Sequence, residues 1–582
     1  MSRLENKVYG AKEGRIWEVK TPDEDIIYRI AKNFDVSRLA ARILANRNFH
    51  DLDEIRGFLS PDLTALSDPM GMVDIDKAAR RVIDACTKDE KIFVYADYDV
   101  DGATGAACLY LFLKELFPYL QIYIHQNDRT RDGYGLKMEY MRFAEKSGYS
   151  LIVTVDTGIS NHDEVEKARD LGVDVVITDH HTVVGALPDA YAVLNPKRKD
   201  CRFRFEDLAG VGVVFALICA IRKILREKGF FREKTEPQLT KFLDLVALGT
   251  VADMAPLKGD NRIFVKNGLR QIRGNPRPGI LALIDVSGIK QGHVTEGDLA
   301  YRIGPRLNAA GRIGDSSLSS AILIEPSFDR ALDLARILSS ENRKRQMEED
   351  KIFKDARRLI EKKNLHNERI IVVGSKKWHI GVVGIVASKI VETYSKPALV
   401  FTFEGSDAKG SGRSKSPFDI LRILNQCSHL MKRFGGHTHA AGIMMRRDRF
   451  DDFSEAIQDA ARNLYEEEEI IPVIDVDAEV ELSSMSAQLL EELEALSPFG
   501  IGNPEPTFLS RNLRVVDFSV RNRGMVTMGV VQDGAKYEVL AFKMGELQHM
   551  VLDRIDLLYT PKMSVFRGRS EMRLLARDLR LL

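Results

Sequence analysis

Apolar residues in the first half of the chain form short, unbroken runs separated by longer amphipathic segments. Runs of β-branched, leucine and aromatic residues are typical of strands buried on both faces, and the segments between them have the apolar spacing of helices. The strand-like runs are "KIFVYAD", "LQIYIH", "SLIVTVD", "VDVVITD" and "YAVLN". Strands that alternate with helices in this way predict an α/β fold whose parallel sheet is covered by helices on both faces.

The pattern changes several times along the rest of the chain. Residues 1 to about 70 have a helical apolar rhythm, and residues 207–255 continue with helices. A long, charged helical segment at 327–363 is either a connecting helix between two domains or a surface helix within one of them. A second strand–helix–strand pattern starts near residue 370. After an acidic run at 466–469, which we interpret as a boundary, short strands with turn signals predict a small β-barrel.

Composition limits the class of protein. The chain has 582 residues, too many for a single core, so we expect about two to four domains. Its 85 Lys and Arg balance 85 Asp and Glu, so a nucleic-acid surface would require local segregation of charge. Five scattered cysteines without a C-x-x-C pair are typical of a reducing compartment. The sequence shows neither a secretory signal nor a run of 18 apolar residues, so we expect no membrane span and no membrane partner.

Carboxylates and imidazoles follow the predicted strands at their C-terminal ends. They are Asp97, Asp99 and Asp101 after the first strand, Asp156 after the third, Asp179, His180 and His181 after the fourth, and Asp253 after a later apolar stretch. The C-terminal ends of parallel strands lie along one edge of a sheet, and ligands bind there. We therefore expect these side chains to converge on one crevice.

The D-x-D-x-D-G spacing of the first acidic segment also opens an EF-hand calcium loop. That loop requires a preceding helix and a Glu at its twelfth position. Here a strand pattern precedes Asp97, and Cys108 stands at the twelfth position, which argues against an EF-hand. A solvated acidic turn is the simpler alternative for this segment taken alone, and a helix N-cap is the alternative for Asp156.

A cluster of this many carboxylates is unstable without counter-charges, because neighbouring like charges repel and raise each other's pKa. Divalent cations would relieve this repulsion. One imidazole among many oxygen ligands favours Mn²⁺ over Ca²⁺, with Mg²⁺ as the alternative. The ligands outnumber those that one catalytic metal usually takes from protein, so we expect two metal ions, an arrangement suited to phosphoryl chemistry.

The order of the motifs resembles a known family. "DYDVDG", "VDTG", "TDHH" and "VADMAPL" occur in the order typical of the DHH phosphoesterase superfamily. "IGPRLNAAGRIGD", "WHIGVVGIVASKI", "GSGRS", "GGHTHAAG" and "SPFGIGNPEPTF" narrow the resemblance to the RecJ family, from about residue 40 to the C-terminus. The resemblance implies a helical lead-in at 1–70, a DHH catalytic domain at 71–325, a connecting helix at 326–365, a DHH-associated substrate-binding domain at 366–465 and an OB-fold nucleic-acid-binding domain at 466–582.

The resemblance also implies roles for the acidic and histidine residues. The matching metal ligands are Asp99, Asp101, Asp156, His180 and Asp253, with Asp97 as a further ligand or a base behind the ligands. His181 matches the residue that contacts the scissile phosphate, and Asp179 would orient a histidine. Asp97, Asp156 and His181 are therefore the catalytic candidates. Many relatives carry His or Gly where this chain has Tyr95 and Ala96, which leaves the surroundings of the site open.

Two glycine-rich segments of the second domain have a use in substrate binding. "GSGRS" combines close backbone approach with a guanidinium, which suits a phosphate clamp, and "FGGHTHAAG" places His437 near a glycine-rich turn. A tight turn without a ligand is the alternative for each, and a packed loop anchor is the alternative for Tyr134. By resemblance the substrate-binding residues are Arg129, Tyr134, Arg306, Asn308, Arg312, Ser411, Gly412, Arg413 and His437.

The C-terminal region carries local positive charge that the total conceals. Its cations are Arg554, Lys562, Arg567, Arg569, Arg573, Arg577 and Arg580, and four more arginines occur within 511–523. Its aromatic residues include Phe508, Phe518, Tyr537, Phe542 and Phe566. Cations that follow phosphates and aromatics that stack on bases suit a single-strand groove, although each aromatic taken alone is as well explained as barrel core.

We therefore expect an enzyme that removes nucleotides from the 5′ end of single-stranded DNA by two-metal hydrolysis. The resemblance implies the strand polarity, the preference for DNA and a cytoplasmic role in DNA repair and recombination. It also implies partners such as a single-strand-binding protein and a helicase, and we expect a monomer. One alternative is a DHH phosphodiesterase acting on short oligoribonucleotides or cyclic dinucleotides, which would normally lack the C-terminal β-domain. The other is a non-catalytic DNA-binding scaffold, which would tolerate loss of the carboxylates.

Overall fold

The structure of the chain, a computed structural model, describes residues 7–9, 15–49, 51–129, 131–465, 473–521, 525–542, 544, 547, 553–566 and 569–582. The chain forms two compact units, one of Asp62–Glu466 and one that joins Met1–Pro61 to Glu467–Leu582. The acidic run at 466–469, which we interpret as a boundary, lies outside the described residues. No helix in the described ranges has the length and hydrophobicity needed to cross a membrane.

The N-terminal region contains two strands and three helices. They are β1 (Lys7–Tyr9), β2 (Ile16–Val19), α1 (Glu24–Phe34), α2 (Arg38–Asn46) and α3 (Leu52–Leu59). Each helix begins at a side chain that accepts a hydrogen bond from the first turn, namely Asp23, Ser37 and Asp51. Such caps satisfy amide groups that have no partner within the helix.

The first domain of the larger unit has the predicted parallel sheet. Its strands are β3 (Lys91–Ala96), β4 (Ile122–Gln126), β5 (Tyr149–Val155), β6 (Asp174–Thr178) and β7 (Ala192–Leu194), in the spatial order β4-β3-β5-β6-β7. Its helices are α4 (Ile75–Thr87), α5 (Val100–Leu116), α6 (Met138–Lys146), α7 (His162–Asp170), α8 (Gly210–Glu227), α9 (Leu243–Ala252), α10 (Gly259–Gly274), α11 (Pro278–Val286), α12 (Glu296–Asp298), α13 (Gly304–Ile313) and α14 (Ser317–Ile324). The predicted α/β class is therefore confirmed.

The central strand β3 explains why the apolar runs are unbroken. Ile92 and Val94 on one face belong to a core formed with helices α4, α5, α8 and α9, while Phe93 and Tyr95 on the other face pack with α6 and α7. Successive side chains of a strand point to opposite faces, so a strand buried on both faces needs apolar residues at every position. Burial on both sides leaves the end of the strand as the place where polar side chains are tolerated.

A long helix, α15 (Phe328–Lys362), leads from the first domain to a second, smaller domain. The second domain has strands β8 (Ile371–Ser375), β9 (Ala398–Glu404), β10 (Asp407–Arg413), β11 (Arg433–His437) and β12 (Ala440–Arg446), in the order β11-β12-β10-β9-β8. Its helices are α16 (Ile380–Tyr394), α17 (Ile420–Gln426) and α18 (Phe450–Leu464). Strand β8 pairs in parallel with β9, and the other neighbours are antiparallel.

The C-terminal region forms the predicted β-barrel. Its elements are β13 (Val473–Val476), β14 (Ala478–Glu479), α19 (Ala487–Ala495), β15 (Phe508–Arg521), β16 (Met525–Gln532), β17 (Ala535–Ala541), β18 (Arg554–Phe566) and β19 (Arg569–Leu581). Strands β15, β16, β17, β19 and β18 follow one another in space, and pairing of β15 with β18 closes the barrel. The N-terminal strand β2 pairs in parallel with β13, so the lead-in is part of this unit.

Candidate active site

The first acidic segment connects the end of β3 to the start of α5. Asp99 is the N-cap of that helix, and its Oδ1 accepts hydrogen bonds from the amides of Asp101 at 2.9 Å and Gly102 at 3.1 Å. A strand precedes Asp97 and a helix follows at once, so the segment is not an EF-hand loop. Asp97 and Asp101 are buried beside this turn.

Asp101 is held by the N-terminus of helix α8. Its two carboxylate oxygens accept hydrogen bonds from the amides of Gly210 at 2.6 Å and Val211 at 2.8 Å. A helix N-terminus favours negative charge because its first amides have no partner within the helix. Gly210 also lies against Asp156: a Cβ at this glycine would be 2.8 Å from the Asp156 Cβ, so a larger residue would push the two apart. Gly210 is not among the residues predicted from the sequence, although the glycine-rich start of a helix in "LAGVGV" was an available signal.

His180 lies at the centre of the acidic cluster. Its Nε2 is 3.1 Å from Asp156 Oδ1, 3.8 Å from Asp101 Oδ2 and 3.8 Å from Asp253 Oδ2. Asp156 follows β5 with a left-handed φ of 60°, a backbone conformation that is uncommon outside glycine and clusters at functional sites. Asp253 follows helix α9 and not a strand, so its place in the cluster depends on helix packing.

The cluster can hold metal ions. Three groups each have ligand atoms within 4.8 Å of one another: Asp97 with Asp99 and Asp156; Asp101 with His180 and Asp253; and Asp156 with His180 and His181. All six predicted metal ligands are therefore brought together. Among the described residues, three buried ligand atoms of this cluster have no hydrogen-bond partner, namely Asp97 Oδ1, Asp156 Oδ1 and His180 Nε2. The last two lie 3.1 Å apart but without the geometry of a hydrogen bond. Buried polar atoms without a partner are rare, and a bound cation would satisfy them.

The protonation of the cluster depends on its burial. Burial, followed by the charges of neighbouring carboxylates, raises the pKa of Asp97, Asp156 and Asp253 well above the usual range. The same causes raise the pKa of Asp101 to about 7. Burial lowers the pKa of His180 to about 3, which keeps its imidazole neutral and able to ligate a metal. Cations would take the place of these protons, because metal ligands must be deprotonated.

His181 differs from its neighbour because it has a carboxylate partner. Its Nδ1 is 2.8 Å from Asp179 Oδ1 and 3.1 Å from the hydroxyl oxygen of Tyr134. Asp179 is itself fixed by the amide of Ile159, which donates to its Oδ2 at 3.0 Å. Burial opposes protonation of His181, but the hydrogen bond and charge of Asp179 outweigh it and raise the pKa of His181 to about 9. The Asp179 contact engages Nδ1 and leaves Nε2 for a substrate.

The second domain reaches this site through His437. The rings of His437 and His181 are nearly parallel, with centroids 6.4 Å apart and an interplanar angle of 16°. His437 lies at the end of β11 and is exposed. His181 of the first domain and His437 of the second domain therefore lie side by side.

Three arginines from separate segments, Arg129, Arg312 and Arg413, are close enough for their charges to affect one another's pKa. The Arg129 guanidinium lies 5.2 Å from the centre of the Tyr98 ring, and Arg312 donates to the Gly381 carbonyl at 3.2 Å. Burial, followed by the charge of Arg129 and further cations including Arg413, lowers the pKa of Arg312 to about 9. Burial and the charge of Arg129 also lower the pKa of Arg413.

No carboxylate in the described ranges lies within ion-pair distance of Arg129, Arg312 or Arg413. We call these three residues the arginine cluster. The site also needs small residues: a Cβ at Gly381 would be 2.3 Å from the Arg312 carbonyl oxygen, which is too close for any other side chain. A group of cations without counter-charges is suited to binding a phosphate.

The other residues predicted to bind substrate do not all have the predicted surroundings. Ser411 and Gly412 belong to strand β10, so "GSGRS" is largely strand and not a tight turn. Arg306 donates to the hydroxyl of Ser339 at 3.0 Å and to the Arg302 carbonyl, so its guanidinium is engaged away from the acidic cluster. Asn308 is half-buried on helix α13.

In the C-terminal unit, several predicted DNA-contacting cations have partners in the barrel. Lys562 and Arg577 both pair with Glu505, and Arg573 pairs with Glu538 at 2.8 Å. Phe508 is fully buried, whereas Phe518 and Phe542 are exposed. Arg567 and the side chains of Phe566 and Arg569 lie outside the described residues. The exposed aromatics are thus better candidates for base stacking than the barrel cations are for phosphate contacts.

The fold and the site together define a DHH-type phosphoesterase. The DHH family, N-terminal domain, matches residues 91–250, the DHHA1 domain matches 367–463, and the RecJ OB domain matches 476–578. The chain is 34% identical over 568 residues to the single-stranded-DNA-specific exonuclease RecJ of Bacillus subtilis. The aligned region covers 97% of this chain and 70% of that protein. The chain therefore belongs to the RecJ family.

Two solved structures have the same fold over nearly the whole chain. The structure of RecJ from Thermus thermophilus in complex with Mn²⁺ has 27% sequence identity and a TM-score of 0.83, and covers 98% of this chain and 80% of that one. Its complex with Mg²⁺ has 26% identity and a TM-score of 0.75, with coverage of 98% and 79%. The resemblance inferred from the motifs is confirmed.

Proposed function

We propose that the protein is a single-stranded-DNA-specific 5′→3′ exonuclease that hydrolyses phosphodiester bonds with two divalent metal ions. The observation that carries this proposal is the buried cluster of carboxylates and imidazoles at one edge of the sheet, with three ligand atoms that lack hydrogen-bond partners in the described part of the chain. The names of the RecJ relatives supply the substrate, and the Mn²⁺ and Mg²⁺ complexes supply the choice of metals.

The residues present fit two metal ions. Asp97, Asp99 and Asp156 would hold one ion, and Asp101, His180 and Asp253 would hold the other. When bound, such a pair of ions activates a water molecule and stabilises charge on the attacking and leaving oxygens. The oxygen-rich ligand set with one imidazole favours Mn²⁺, with Mg²⁺ as the alternative.

His181 is suited to act on the scissile phosphate directly. The Asp179 carboxylate holds its Nδ1 and favours the protonated imidazole, so Nε2–H can donate to a non-bridging oxygen or to the leaving oxygen. The Tyr134 hydroxyl also contacts Nδ1, which fixes the ring from a second side. His181 is thus held in position by Asp179 and Tyr134.

The arginine cluster is suited to hold the 5′-terminal phosphate of the strand. Guanidinium groups bind phosphate through paired hydrogen bonds, and a bound dianion would offset the mutual repulsion of Arg129, Arg312 and Arg413. A terminal phosphate held at a fixed distance from the metal cluster would restrict cleavage to the first linkage. This restriction would explain both removal from the end and the 5′ polarity.

The other proposals concern the protein in the cell. We propose a cytoplasmic monomer that acts in DNA repair and recombination, with a single-strand-binding protein and a helicase as partners. The five cysteines are all unpaired, which supports a reducing compartment. The region boundaries near residues 70, 325, 365 and 465 also stay predictions, and limited proteolysis would test them.

An end-labelled assay tests the activity. The protein is given Mn²⁺ and long single strands of DNA or RNA that are labelled at either end. Release of nucleotides from the 5′ end of DNA is the expected result. Cleavage confined to di- and trinucleotides would instead favour an oligonucleotide phosphodiesterase, and binding without cleavage would favour a scaffold.

A further inference from the structure

A short loop after strand β7 is tied to the catalytic histidine. Asn195 is fully buried, and its Nδ2 donates to the His181 carbonyl oxygen at 2.9 Å. Its Oδ1 accepts from the Lys197 amide at 2.8 Å. The asparagine therefore fixes the backbone of Lys197 relative to that of His181, so the lysine has a defined place beside the site.

Lys197 is a half-buried cation of this loop, and the described residues place no carboxylate beside it. Arg198 pairs with Asp74 and with Asp200, both at 2.7 Å, and Lys199 is exposed. Lys197 is half-buried, and within the described ranges no carboxylate lies within 4.0 Å of its Nζ. A half-buried ammonium with no internal partner is available for an anionic ligand.

The charge of Lys197 also acts on the acidic cluster. Burial raises the pKa of Asp253, and the charge of Lys197 opposes this rise. Burial lowers the pKa of His180 and of His437, and the charge of Lys197 adds to both effects. The charge of Arg129, in contrast, acts on Asp97. The Asn195 bridge places the Lys197 backbone beside His181, while the arginine cluster comes from three other segments, so cations from separate parts of the chain surround the acidic cluster.

We propose that Lys197 binds the DNA phosphate immediately 3′ of the scissile phosphate. This inference rests on the proposed function. The terminal phosphate would lie at the arginine cluster and the scissile phosphate at the acidic cluster. The strand would then continue toward Lys197 and His437. A lysine suits this position, because its ammonium is a flexible point charge that can follow a phosphate without fixing its orientation. Lys197 is then a substrate-positioning residue that nothing in the motifs indicated.

The test combines one variant with one altered linkage. The substrates are 5′-phosphorylated single strands that carry a neutral methylphosphonate at the second internucleotide linkage, at the fifth, or at neither. Cleavage of the first linkage is measured in single turnover with wild type, Lys197→Met, Lys197→Arg and Lys199→Met. Lys199→Met is the matched control, because it removes the same charge from an exposed position of the same loop.

If Lys197 contacts that phosphate, the losses in kcat/KM caused by Lys197→Met and by the neutral second linkage should not be additive. We expect Lys197→Met to lower kcat/KM on the unmodified strand by about 10- to 100-fold, the usual contribution of a hydrogen bond to a charged group. The neutral second linkage should cost wild type a similar factor and cost Lys197→Met less than about twofold. Lys197→Arg should restore most of the activity, and Lys199→Met should behave as wild type. The slope of log affinity against log salt should fall by about 0.7 in Lys197→Met.

Other results would overturn the inference in distinguishable ways. Equal sensitivity of wild type and Lys197→Met to the neutral second linkage would show that the lysine does not contact this phosphate. Loss of Mn²⁺ binding by Lys197→Met, measured by calorimetry, would show that the lysine acts on the metal site instead. Failure of wild type to cleave any of the single strands would overturn the proposed function and, with it, this inference.

Discussion

Buried charged groups have different surroundings in the acidic cluster and in the unit that joins the two ends of the chain. In that unit, the buried pair of Arg47 and Asp477 is fully engaged: Arg47 also donates to Asn503 Oδ1 at 3.2 Å, and the Thr507 amide donates to Asp477 Oδ2 at 3.0 Å. In the acidic cluster, Asp97, Asp156 and His180 each have a buried atom with no hydrogen-bond partner among the described residues.

The difference separates structural charge from functional charge. A buried ion pair is tolerated when further hydrogen bonds satisfy its remaining atoms, and then it fixes the arrangement of the elements that carry it. A buried group of like charges with unsatisfied atoms costs stability, and its retention indicates that something else satisfies it. Loss of Asp477 should therefore affect stability, and loss of Asp156 should affect activity.

The largest effect is expected at Asp156, which belongs to two of the three ligand groups. Asp156→Ala should fold normally and lose at least about 10³-fold in rate, because Asp156 would hold one ion and its Oδ1 lies 3.1 Å from the Nε2 of His180, which would hold the other. Asp163→Ala, an exposed acidic residue on the following helix, is the control. Near-normal turnover by Asp156→Ala in the end-labelled assay would refute this assignment.

The opposite behaviour is expected at Asp477. Asp477→Ala leaves Arg47 buried without its partner, so the free energy of unfolding should fall by about 3–5 kcal/mol, while Mn²⁺ affinity should not change. Asp475→Ala, which removes an exposed carboxylate paired with Lys20, should cost at most about 1 kcal/mol. Urea denaturation and calorimetry measure the two quantities. A loss of Mn²⁺ binding by Asp477→Ala would contradict the assignment of Asp477 to stability alone.

A smaller effect is expected in the arginine cluster. Arg413→Ala should weaken binding of a 5′-phosphorylated strand by about 10- to 100-fold and that of a 5′-hydroxyl strand much less, with metal binding intact. Arg446→Ala is the paired control, since Arg446 is exposed and bonded to Asp448. Equal weakening for both strands, or loss of metal from Arg413→Ala, would contradict the proposed clamp.

The smallest effect is a dependence on pH. The folded pKa values of Asp97, Asp101, Asp156 and Asp253 are raised, so their contribution to stability is complete below about pH 4 and is lost as pH rises through the folded values, which for Asp101 is about 7. Mn²⁺ replaces these protons. The increase in Tm on adding Mn²⁺ should therefore be larger at pH 8 than at pH 6 in thermal denaturation. An increase that shrinks with pH would argue against metal binding by these carboxylates.

Much of the fold was predictable because the signals are local. Unbroken apolar runs such as Lys91–Ala96 reflect burial on both faces, and the acidic residues after them reflect the end of the strand. The position of Asp253 after helix α9 was less accessible, because helix packing and not strand order brings it to His180. The support of Asp101 by the amides of Gly210 and Val211 has the same origin.

Long-range pairing explains the parts that could not be predicted. The parallel pairing of β2 with β13 joins segments from opposite ends of the chain, and neither strand carries a local mark of its partner. The prediction of free cations in the C-terminal region was also incomplete, because Lys562 and Arg577 both pair with Glu505 in the folded barrel. Local sequence shows that a cation is present, but only the folded structure shows whether it is already paired.

The central claim is that the cluster of buried carboxylates and imidazoles holds two cations, and manganese anomalous scattering from a crystal grown with Mn²⁺ tests it most directly. We expect two anomalous peaks, one among Asp97, Asp99 and Asp156 and the other among Asp101, His180 and Asp253. A map without peaks at these positions, with the same side chains turned toward solvent, would contradict the account.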